Sequence, residues 1–320
     1  MAHTLCGIDV SSRTLDVAIP DANLSTQFPN TIAGILQLAA LCRSHQVSLV
    51  AMEATGGYEQ KALLGLTEQG LQVAILNPRA VRQFALSMGM LEKTDAIDAR
   101  IIAHYAQVRN AKPSIPAPAA QLALRAHVTR LRQLTELRTA QRNQARLITD
   151  SFVLASFQEL IAVVDRQIAE LELLIATAIQ DDPTWSRLNP ALRTIKGVAD
   201  RTIARLFAEL PELGTLPNKT IAKLAGLAPL ARDSGLTAGK RSIRGGRSSL
   251  RDILFVVGSV VARHEPDFIA FEKRLRSAGK PPKVVRIAVA HKLLTRLNAR
   301  ARDLRITLQQ NPIAAEGVGK

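Results

Sequence analysis

The hydrophobic pattern of this 320-residue chain changes at a cluster of three prolines, in the segment KPSIPAPAA at residues 112–120. Before the cluster, short apolar runs typical of strands alternate with stretches of helical spacing, which predicts an α/β fold. After it, apolar residues recur at helical spacing over long stretches, which predicts a mostly helical fold. Because proline interrupts regular elements, the cluster predicts a linker between two parts of the chain.

The first predicted strand contains a carboxylate. The segment LCGIDVSSRTLDVAI at residues 5–19 has two apolar runs around the polar turn SSRT, which predicts a β-hairpin with Asp9 inside its first strand. Burying a carboxylate costs several kcal/mol unless it is paired or bound to a cation. The sequence therefore predicts a partner for Asp9.

Three further carboxylates stand where they can join Asp9. Glu53 directly follows the apolar run VSLVAM, and Asp95 and Asp98 follow a predicted N-cap at Thr94. Two helical residues three positions apart share one face. Four carboxylates that meet at one point repel each other without divalent cations, and two Mg²⁺ ions held there can bind a scissile phosphate. This pattern predicts phosphodiester cleavage or transfer.

A purely structural role for the same four carboxylates stays open. The first two can be surface residues at strand ends, and the two on the helix can simply stabilise its N-terminus. Three other carboxylates lie close enough along the chain to belong to the set: Asp16, Glu59 and Glu92.

The charge of the chain is concentrated in one block. The net charge is +15, and residues 223–300 contain 17 Lys and Arg against 5 Asp and Glu, which is +12. Residues 1–110 have a net charge of −1, from 8 Lys and Arg against 9 Asp and Glu. A concentrated basic block predicts a polyanionic partner, whereas a solubilising surface would spread its charge.

No segment predicts a membrane span or export. There is no run of eighteen apolar residues, and MAHTLCGIDV lacks the features of a signal peptide, so we expect a cytoplasmic protein with no membrane partner. Cys6 and Cys42 form no CxxC pattern and are expected to be buried thiols, and the six histidines are too scattered for a metal site.

Residues 119–150 and 157–179 predict two long amphipathic helices with a break at 151–156. We expect them to form a helical hairpin or coiled-coil arm suited to self-association. Beyond the arm, a turn at Gly197 in TIKGVADRT joins two predicted helices in the outline of a helix-hairpin-helix, which can offer backbone amides to a phosphate. A buried helical pair explains the same pattern equally well. We expect three domains, at residues 1–112, 113–185 and 186–320.

The loop ARDSGLTAGKRSIRGGRSS at residues 231–249 connects two predicted helices. It holds five cationic side chains and no apolar periodicity, so we expect it to be exposed and to bind phosphate. Several serines stand in it, and chemistry alone does not distinguish a nucleophile among them, since a serine in a glycine-rich loop is usually a turn former.

Three strings resemble one family when taken together. GIDVSSRTLDVAI, MEATGGY and EKTDAIDA, in this order and spacing, resemble the RuvC-like, RNase H-fold domain of a family of bacterial insertion-sequence transposases that includes a pilin-gene invertase and bridge-RNA-guided recombinases. The resemblance continues through TIKGVADRT and LAGLAPLARDSG to about residue 305. It implies an RNase H-like first domain, a helical arm and a mostly α C-terminal domain.

The resemblance also implies a mechanism. The family's tetrad falls on Asp9, Glu53, Asp95 and Asp98, which would hold two Mg²⁺ ions, and its nucleophile falls on Ser234 of the RDSG string. The protein would be a DNA recombinase that works as a homodimer or tetramer with composite active sites, on element and target DNA, guided by a structured RNA.

Five basic residues near this serine are predicted to bind nucleic acid: Lys240, Arg241, Arg244, Arg247 and Arg251. Two other functions stay open. One is a RuvC-like, metal-dependent junction nuclease in which Ser234 is only structural. The other is a basic nucleic-acid-binding scaffold without catalytic activity.

Overall fold

The computed structural model describes residues 4–90, 95–231, 239 and 241–310, with the side chains of residues 95–97 and 308–309 outside that description. The chain divides into two compact units, residues 1–117 and 118–320. The border between the units falls within the proline cluster. The finer division into three domains stays a prediction.

The described part of the first unit combines a mixed sheet with helices, as the sequence predicted. Its strands are β1 (Leu5–Val10), β2 (Thr14–Ile19), β3 (Leu24–Pro29), β4 (Leu49–Glu53) and β5 (Val73–Leu76). Its helices are α1 (Ile32–Ser44), α2 (Glu59–Glu68), α3 (Pro78–Ser87) and α4 (Asp95–Val108), with a 3₁₀ turn at Pro20–Ala22.

The strands of the sheet follow the order β3-β2-β1-β4-β5. β1, β2 and β3 are antiparallel to each other in turn, whereas β1, β4 and β5 are parallel. The hairpin predicted around SSRT is confirmed, and Ser11 closes its turn by accepting a 2.8 Å hydrogen bond from the Thr14 amide. The sequence missed β3, because this edge strand exposes most of its side chains and therefore lacks a buried apolar face.

Helices cover both faces of the sheet. Cys6 and Ile8 belong to the core formed with α1 and α2, whereas Leu5 belongs to the core formed with α3 and α4. Side chains alternate between faces along a strand. Asp9 therefore shares the face of Leu5, which is the face that α4 crosses.

α4 approaches β1 so closely that only glycine fits at the crossing. A Cβ atom at Gly7 would lie 1.9 Å from the carbonyl oxygen of Ala99 and 2.7 Å from the amide nitrogen of Ala103. Both atoms belong to the backbone of α4, so they cannot move aside as a side chain would. Gly7 thus fixes where α4 sits on the sheet.

The described part of the second unit is mostly helical, as predicted. Its helices are α5 (Ala119–Ala145), α6 (Ser151–Asp181), α7 (Pro183–Arg193), α8 (Asp200–Glu209), α9 (Asn218–Leu224), α10 (Ser248–His264), α11 (Pro266–Ser277) and α12 (Pro282–Gln310). Two short strands, β6 (Pro229–Leu230) and β7 (Ser242–Ile243), pair antiparallel.

α5 and α6 pack against each other as the predicted helical hairpin. The break between them was predicted at residues 151–156, which is wrong: it lies at residues 146–150. The reason is Asp150, whose carboxylate accepts a 2.9 Å hydrogen bond from the Val153 amide and so begins α6 as an N-cap.

The hairpin shares its core with the helices that follow it. Leu124 and Val128 of α5 belong to the same hydrophobic cluster as Ile175 of α6, Ile203 of α8 and Leu294 of α12. The second unit is therefore built around one apolar core. Among the described helices, none is both long and apolar enough to cross a membrane.

Replacing Gly7 with alanine is expected to lower the free energy of unfolding by about 1–3 kcal/mol, because the new Cβ must push the α4 backbone away from β1. Urea unfolding followed by circular dichroism measures the change. Gly258→Ala is the comparison and should be destabilised less, since a Cβ atom there lies 3.3 Å from the Ala290 nitrogen and needs a shift of only a few tenths of an ångström. Equal stability of Gly7→Ala and the wild type would contradict the proposed close contact.

Candidate active site

Two of the predicted carboxylates lie side by side in the sheet. The parallel register of β1 and β4 places Ile8 opposite Met52, so Asp9 and Glu53 are the next residues along the two strands. Neighbouring strands lie about 4.8 Å apart, and residues opposite each other share a face. Both carboxylates are half-buried at the end of this strand pair.

A third carboxylate lies on the other side of Asp9. The antiparallel register of β1 and β2 places Asp16 directly opposite Asp9. The Asp16 carboxylate accepts hydrogen bonds from Gln27 Nε2 at 2.8 Å and from Thr14 Oγ1 at 3.5 Å. Like charges opposite each other in a sheet repel. Hydrogen bonds relieve this repulsion at Asp16, and a bound cation would relieve it further.

The direction of α4 can be followed along β1. Ala106, near the end of α4, lines the same cavity as Leu5. Ala99 and Ala103, earlier in α4, meet β1 at Gly7, two residues further along the strand. α4 therefore runs antiparallel to β1.

This direction brings the first turn of α4 toward Asp9. Four residues of a helix span about 6 Å, and two residues of a strand span about 6.7 Å. Asp95 and Asp98, in the turn before the Gly7 contact, therefore lie over the end of β1 that carries Asp9. Asp98 is half-buried, and the side chain of Asp95 lies outside the described residues.

Within the described side chains, no group of three or more His, Cys, Asp or Glu residues is placed to hold a metal ion. That finding does not cover a group that includes Asp95. The register and the helix direction bring the backbone positions of the tetrad together. Glu92, the other open candidate in this segment, lies outside the described residues.

The loop that follows Glu53 is held by Glu59. One oxygen of the buried Glu59 carboxylate accepts hydrogen bonds from the Thr55 amide at 3.1 Å, the Thr55 hydroxyl at 2.8 Å and the Gly57 amide at 2.8 Å. Burial disfavours the charged carboxylate, but these hydrogen bonds outweigh it and lower the pKa of Glu59. Glu59 is therefore a positioning residue for the loop.

The proposed nucleophile and its surroundings are described only in part. Ser234 and Lys240 lie outside the described residues. Their segment starts after β6 and returns through β7, so the β6–β7 pair forms its stem. Arg241 and Arg244 are exposed beside that stem.

The other two predicted nucleic-acid-binding residues bond within the second unit. Arg247 donates from both terminal nitrogens to the two oxygens of Glu212, each at 2.7 Å, and also to the Glu209 carbonyl at 2.9 Å. Burial of Glu212 raises its pKa, but the bonds from Arg247 outweigh this effect and lower it. Arg251 donates to the Gly245 carbonyl at 3.0 Å.

Two glycine-containing backbone segments interlock beside this ion pair. A Cβ atom on Gly246 would lie 2.3 Å from the Gly226 nitrogen, and one on Gly226 would lie 2.2 Å from the Gly245 oxygen. Both glycines have positive φ, near +67° and +65°. The Arg247 amide completes the contact by donating to the Leu224 carbonyl at 2.8 Å. The chain after β7 is therefore firmly attached to the segment before β6.

The two helices and the turn predicted around Gly197 are present as α7 and α8, with Gly197 at φ +96°. The Lys196 amide at this turn donates a 2.6 Å hydrogen bond to the carboxylate of Glu265. The sequence predicted that backbone amides of this turn could bind a phosphate. In the structure the Lys196 amide donates to a carboxylate of the protein itself.

Sequence reasoning missed the positioning roles of Gly7, Glu59 and Glu212. The position of Glu59 just after the turn residues TGGY was a usable signal, because a carboxylate there can bind the amides of the turn. Glu212 lies 35 residues before Arg247, and no local pattern connects the two.

The sequence matches two transposase families. Residues 6–154 match a family described as transposase, of the IS110 DEDD type, and residues 189–273 match one described as "Transposase IS116/IS110/IS902 family". The two matches together span well over half of the chain. The tetrad positions lie in the first match and Ser234 lies in the second.

Three relatives extend the comparison. The pilin gene-inverting proteins of Moraxella lacunata and of Moraxella bovis are each 29% identical to the chain over 312 residues, which is 92% of this chain and 94% of theirs. An uncharacterized 43.6 kDa protein of insertion element IS110 from Streptomyces coelicolor is 27% identical over 157 residues, 48% of this chain and 38% of its own length.

These matches, the acidic edge of the sheet and the basic helical unit define an enzyme that cuts and rejoins DNA, a transposase or recombinase. The chain belongs to the IS110 family of transposases. The acidic DEDD signature of its first family match indicates dependence on divalent metal.

Glu59→Gln is expected to lower the free energy of unfolding at pH 7 by about 1–2 kcal/mol, because the charged carboxylate accepts three hydrogen bonds that the amide replaces poorly. The folded-state pKa of Glu59 lies below its unfolded-state value. The stabilisation is therefore complete above the unfolded-state pKa, near 4.3, and is lost as the pH falls through the folded-state pKa.

Urea titrations of wild type and Glu59→Gln between pH 7 and pH 3 measure this difference. Glu68→Gln, at an exposed position on the same helix, is the control and should match the wild type. A stability gap that stays constant down to pH 3 would contradict the charge-based explanation.

Glu212→Gln is expected to loosen the chain after β7, because it weakens the two-pronged bond to Arg247. Hydrogen–deuterium exchange should become faster in peptides that cover residues 242–251, where the Arg247 amide bonds to Leu224. The control is Glu272→Gln, which breaks the i,i+4 ion pair with Arg276 on α11. Unchanged exchange in Glu212→Gln would show that the interlocked glycines suffice without the ion pair.

Proposed function

We propose that this transposase is a metal-dependent serine recombinase that excises and inserts the DNA of an insertion sequence. The observation that carries the proposal is the placement of Asp9 beside Glu53 under the acidic first turn of α4. The strand order, with three antiparallel strands followed by two parallel ones, supports an RNase H-like, RuvC-like fold for the first unit.

In this proposal Asp9, Glu53, Asp95 and Asp98 hold two Mg²⁺ ions. Carboxylate oxygens are ligands that Mg²⁺ prefers, and carboxylates at strand spacing repel each other until cations neutralise them. The set of residues therefore fits the ions. When bound, two such ions neutralise a scissile phosphate and stabilise the attacking and the leaving oxygens.

Ser234 is the proposed nucleophile. Its hydroxyl loses a proton and its oxygen bonds to the phosphorus, while the bond from phosphorus to the 3′ oxygen breaks and that oxygen takes up a proton. Gly235, which follows it, leaves room for a phosphate close to the backbone. The phosphoserine bond keeps the free energy of the broken phosphodiester bond. Rejoining is therefore the reverse reaction and needs no nucleoside triphosphate.

The basic residues near the stem have two proposed roles. Arg241 and Arg244 are exposed and suited to phosphate, and Lys240 next to them is proposed to act with them. Arg247 bonds to Glu212 and Arg251 bonds to the Gly245 carbonyl, so their proposed contribution to nucleic-acid binding comes through holding the chain that follows the stem.

The hairpin of α5 and α6 supports self-association. Val153, Leu160 and Leu174 of α6 are large apolar side chains with 41%, 42% and 51% of their surface exposed, and their positions fall on one seven-residue series that skips residue 167. Such a stripe on one helix face is suited to pairing with another helix. We propose a dimer or tetramer in which the serine segment of one subunit completes the acidic site of another.

Guidance by a bridge RNA is proposed from the family resemblance. The net charge of +12 in residues 223–300 supports binding of a polyanion, and RNA and DNA both meet that description. The cytoplasm of a bacterium is the proposed location.

The experiment mixes the protein with DNA that carries the element ends, the RNA transcribed from the flanking noncoding segment, and Mg²⁺. We expect an SDS-resistant protein–DNA adduct in which mass spectrometry finds the nucleotide on Ser234. Ser234→Ala should abolish the adduct, and Asp95→Asn should reduce it at least a hundredfold without loss of DNA binding. Ser248→Ala, at the start of α10, is the matched control and should keep the adduct.

Each part of the proposal has its own contradicting result. An adduct that persists in Ser234→Ala would exclude Ser234 as nucleophile. Metal-dependent cutting by Ser234→Ala without an adduct would favour the junction nuclease instead. Full recombination after RNase treatment would exclude the guide RNA, and full activity of Asp95→Asn would exclude the tetrad.

A further inference from the structure

A cavity of about 800 Å³ opens in the second unit between α10, α11, α12 and the β6–β7 stem. Its wall is largely apolar and includes Ile243, Phe255, Phe271, Val284 and Ile287. Pockets for small organic ligands commonly measure about 300–1,000 Å³. The cavity therefore has room for a group the size of a nucleotide.

The same cavity is lined by cations. Arg241, Lys283 and Lys292 contribute to its wall, and no Asp or Glu occurs among the described residues that line it. His291, Ser242 and Thr295 complete the polar part. Burial lowers the pKa of His291, so its imidazole is neutral at pH 7 and can both donate and accept a hydrogen bond. The cavity is complementary to a ligand that is anionic at one end and flat and apolar at the other.

Aromatic rings are rare in this chain but are gathered here. Only 3% of the residues are aromatic, with eight phenylalanines in all. Phe255 and Phe271 line the cavity, and Phe268 stands next to it through Lys292, whose Nζ lies 4.9 Å from the Phe268 ring centre and 4.5 Å from that of Phe271. Rings beside cations are the usual means by which proteins hold unpaired bases and their phosphates.

Ligands of other chemical classes would interact favourably with only the apolar part or only the cationic part of the cavity wall. A wholly apolar segment would remove the cations of Arg241 and Lys283 from water without pairing them, which costs free energy. An inorganic anion would gain nothing from the apolar surface. A nucleotide uses both, with its base against the rings and its phosphate at the cations.

We infer that this cavity binds one unpaired nucleotide of the strand that lies at the Ser234 segment. Arg241 and Ile243 both line the cavity. Ile243 lies in β7 of the stem and Arg241 stands two residues before it, so a strand held at the stem passes the mouth of the cavity. The base lies against Phe255 and Phe271, and the phosphate meets Arg241 and Lys283. This inference rests on the proposed function, since it needs a nucleic acid at the stem.

The test uses a variant whose larger side chain fills the cavity while all of its charged residues are kept. Val284 is half exposed on the cavity wall, so Val284→Trp should fold and occupy the space. The probe is a short single-stranded thymidine oligonucleotide with one 2-aminopurine, whose fluorescence drops when the base stacks. We expect Val284→Trp to weaken its binding about tenfold and to remove the fluorescence drop. Ile269→Trp, at a position on α11 that is 43% exposed and lies outside the described cavity wall, should behave like the wild type.

Duplex DNA of the same length should bind Val284→Trp and wild type equally, because its bases are paired. Arg241→Gln should weaken both probes and reduce the salt dependence of binding by about one ion. Wild-type affinity of Val284→Trp for the single strand would overturn the inference. So would a changed subunit number by light scattering with unchanged oligonucleotide binding, because the cavity would then hold protein.

The two proposals can fail separately. If Ser234→Ala still forms the covalent adduct while Val284→Trp loses the single strand, the nucleophile is wrong and the nucleotide site stands. If Ser234→Ala abolishes the adduct while Val284→Trp binds normally, the recombinase mechanism stands and the nucleotide site is wrong.

Discussion

The first unit depends on the contact between the backbones of α4 and β1 at Gly7. Two other features of the site follow from it: α4 covers the side of the sheet that carries Asp9 and Glu53, and the backbone of its first turn lies toward the end of β1 that carries Asp9. Any side chain at position 7 would meet backbone atoms, which do not yield. The absence of a side chain at Gly7 thus lets α4 approach the sheet as the proposed metal site requires, with carboxylates from β1, β4 and α4.

In the second unit, a different set of interactions holds the chain next to the Ser234 segment. There the segment to be positioned lies between two very short strands, which give little stability by themselves. Interlocked glycines at 226, 245 and 246, the Arg247–Glu212 pair and the Leu224 carbonyl together fix its return path. Both halves of the proposed catalytic apparatus therefore rely on glycine at points of closest backbone approach.

Much of this could be predicted from the sequence. Apolar periodicity identified the α/β unit and the long helices, and the carboxylate inside a strand drew attention to Asp9. The edge strand β3 was not predicted, because it has no buried apolar face. The start of α6 was predicted wrongly, because Asp150 was not recognised as its N-cap.

The functional roles that the sequence alone leaves open have one physical cause. Charge alone does not reveal whether an arginine faces phosphate or a carboxylate of its own chain, so Arg247 was predicted to bind nucleic acid while the structure pairs it with Glu212. Ser234 was distinguished from its neighbours only by family resemblance. Long-range packing decides such roles, and no local pattern contains it.

The exposed stripe on α6 has an interruption that bears on assembly. The seven-residue series through Val153, Leu160 and Leu174 passes through Gln167. A polar side chain within an apolar seam weakens pairing, but it penalises every alignment that sets it against a hydrocarbon partner. In a paired arm, Gln167 would therefore lower the affinity between the two helices but favour a single register between them.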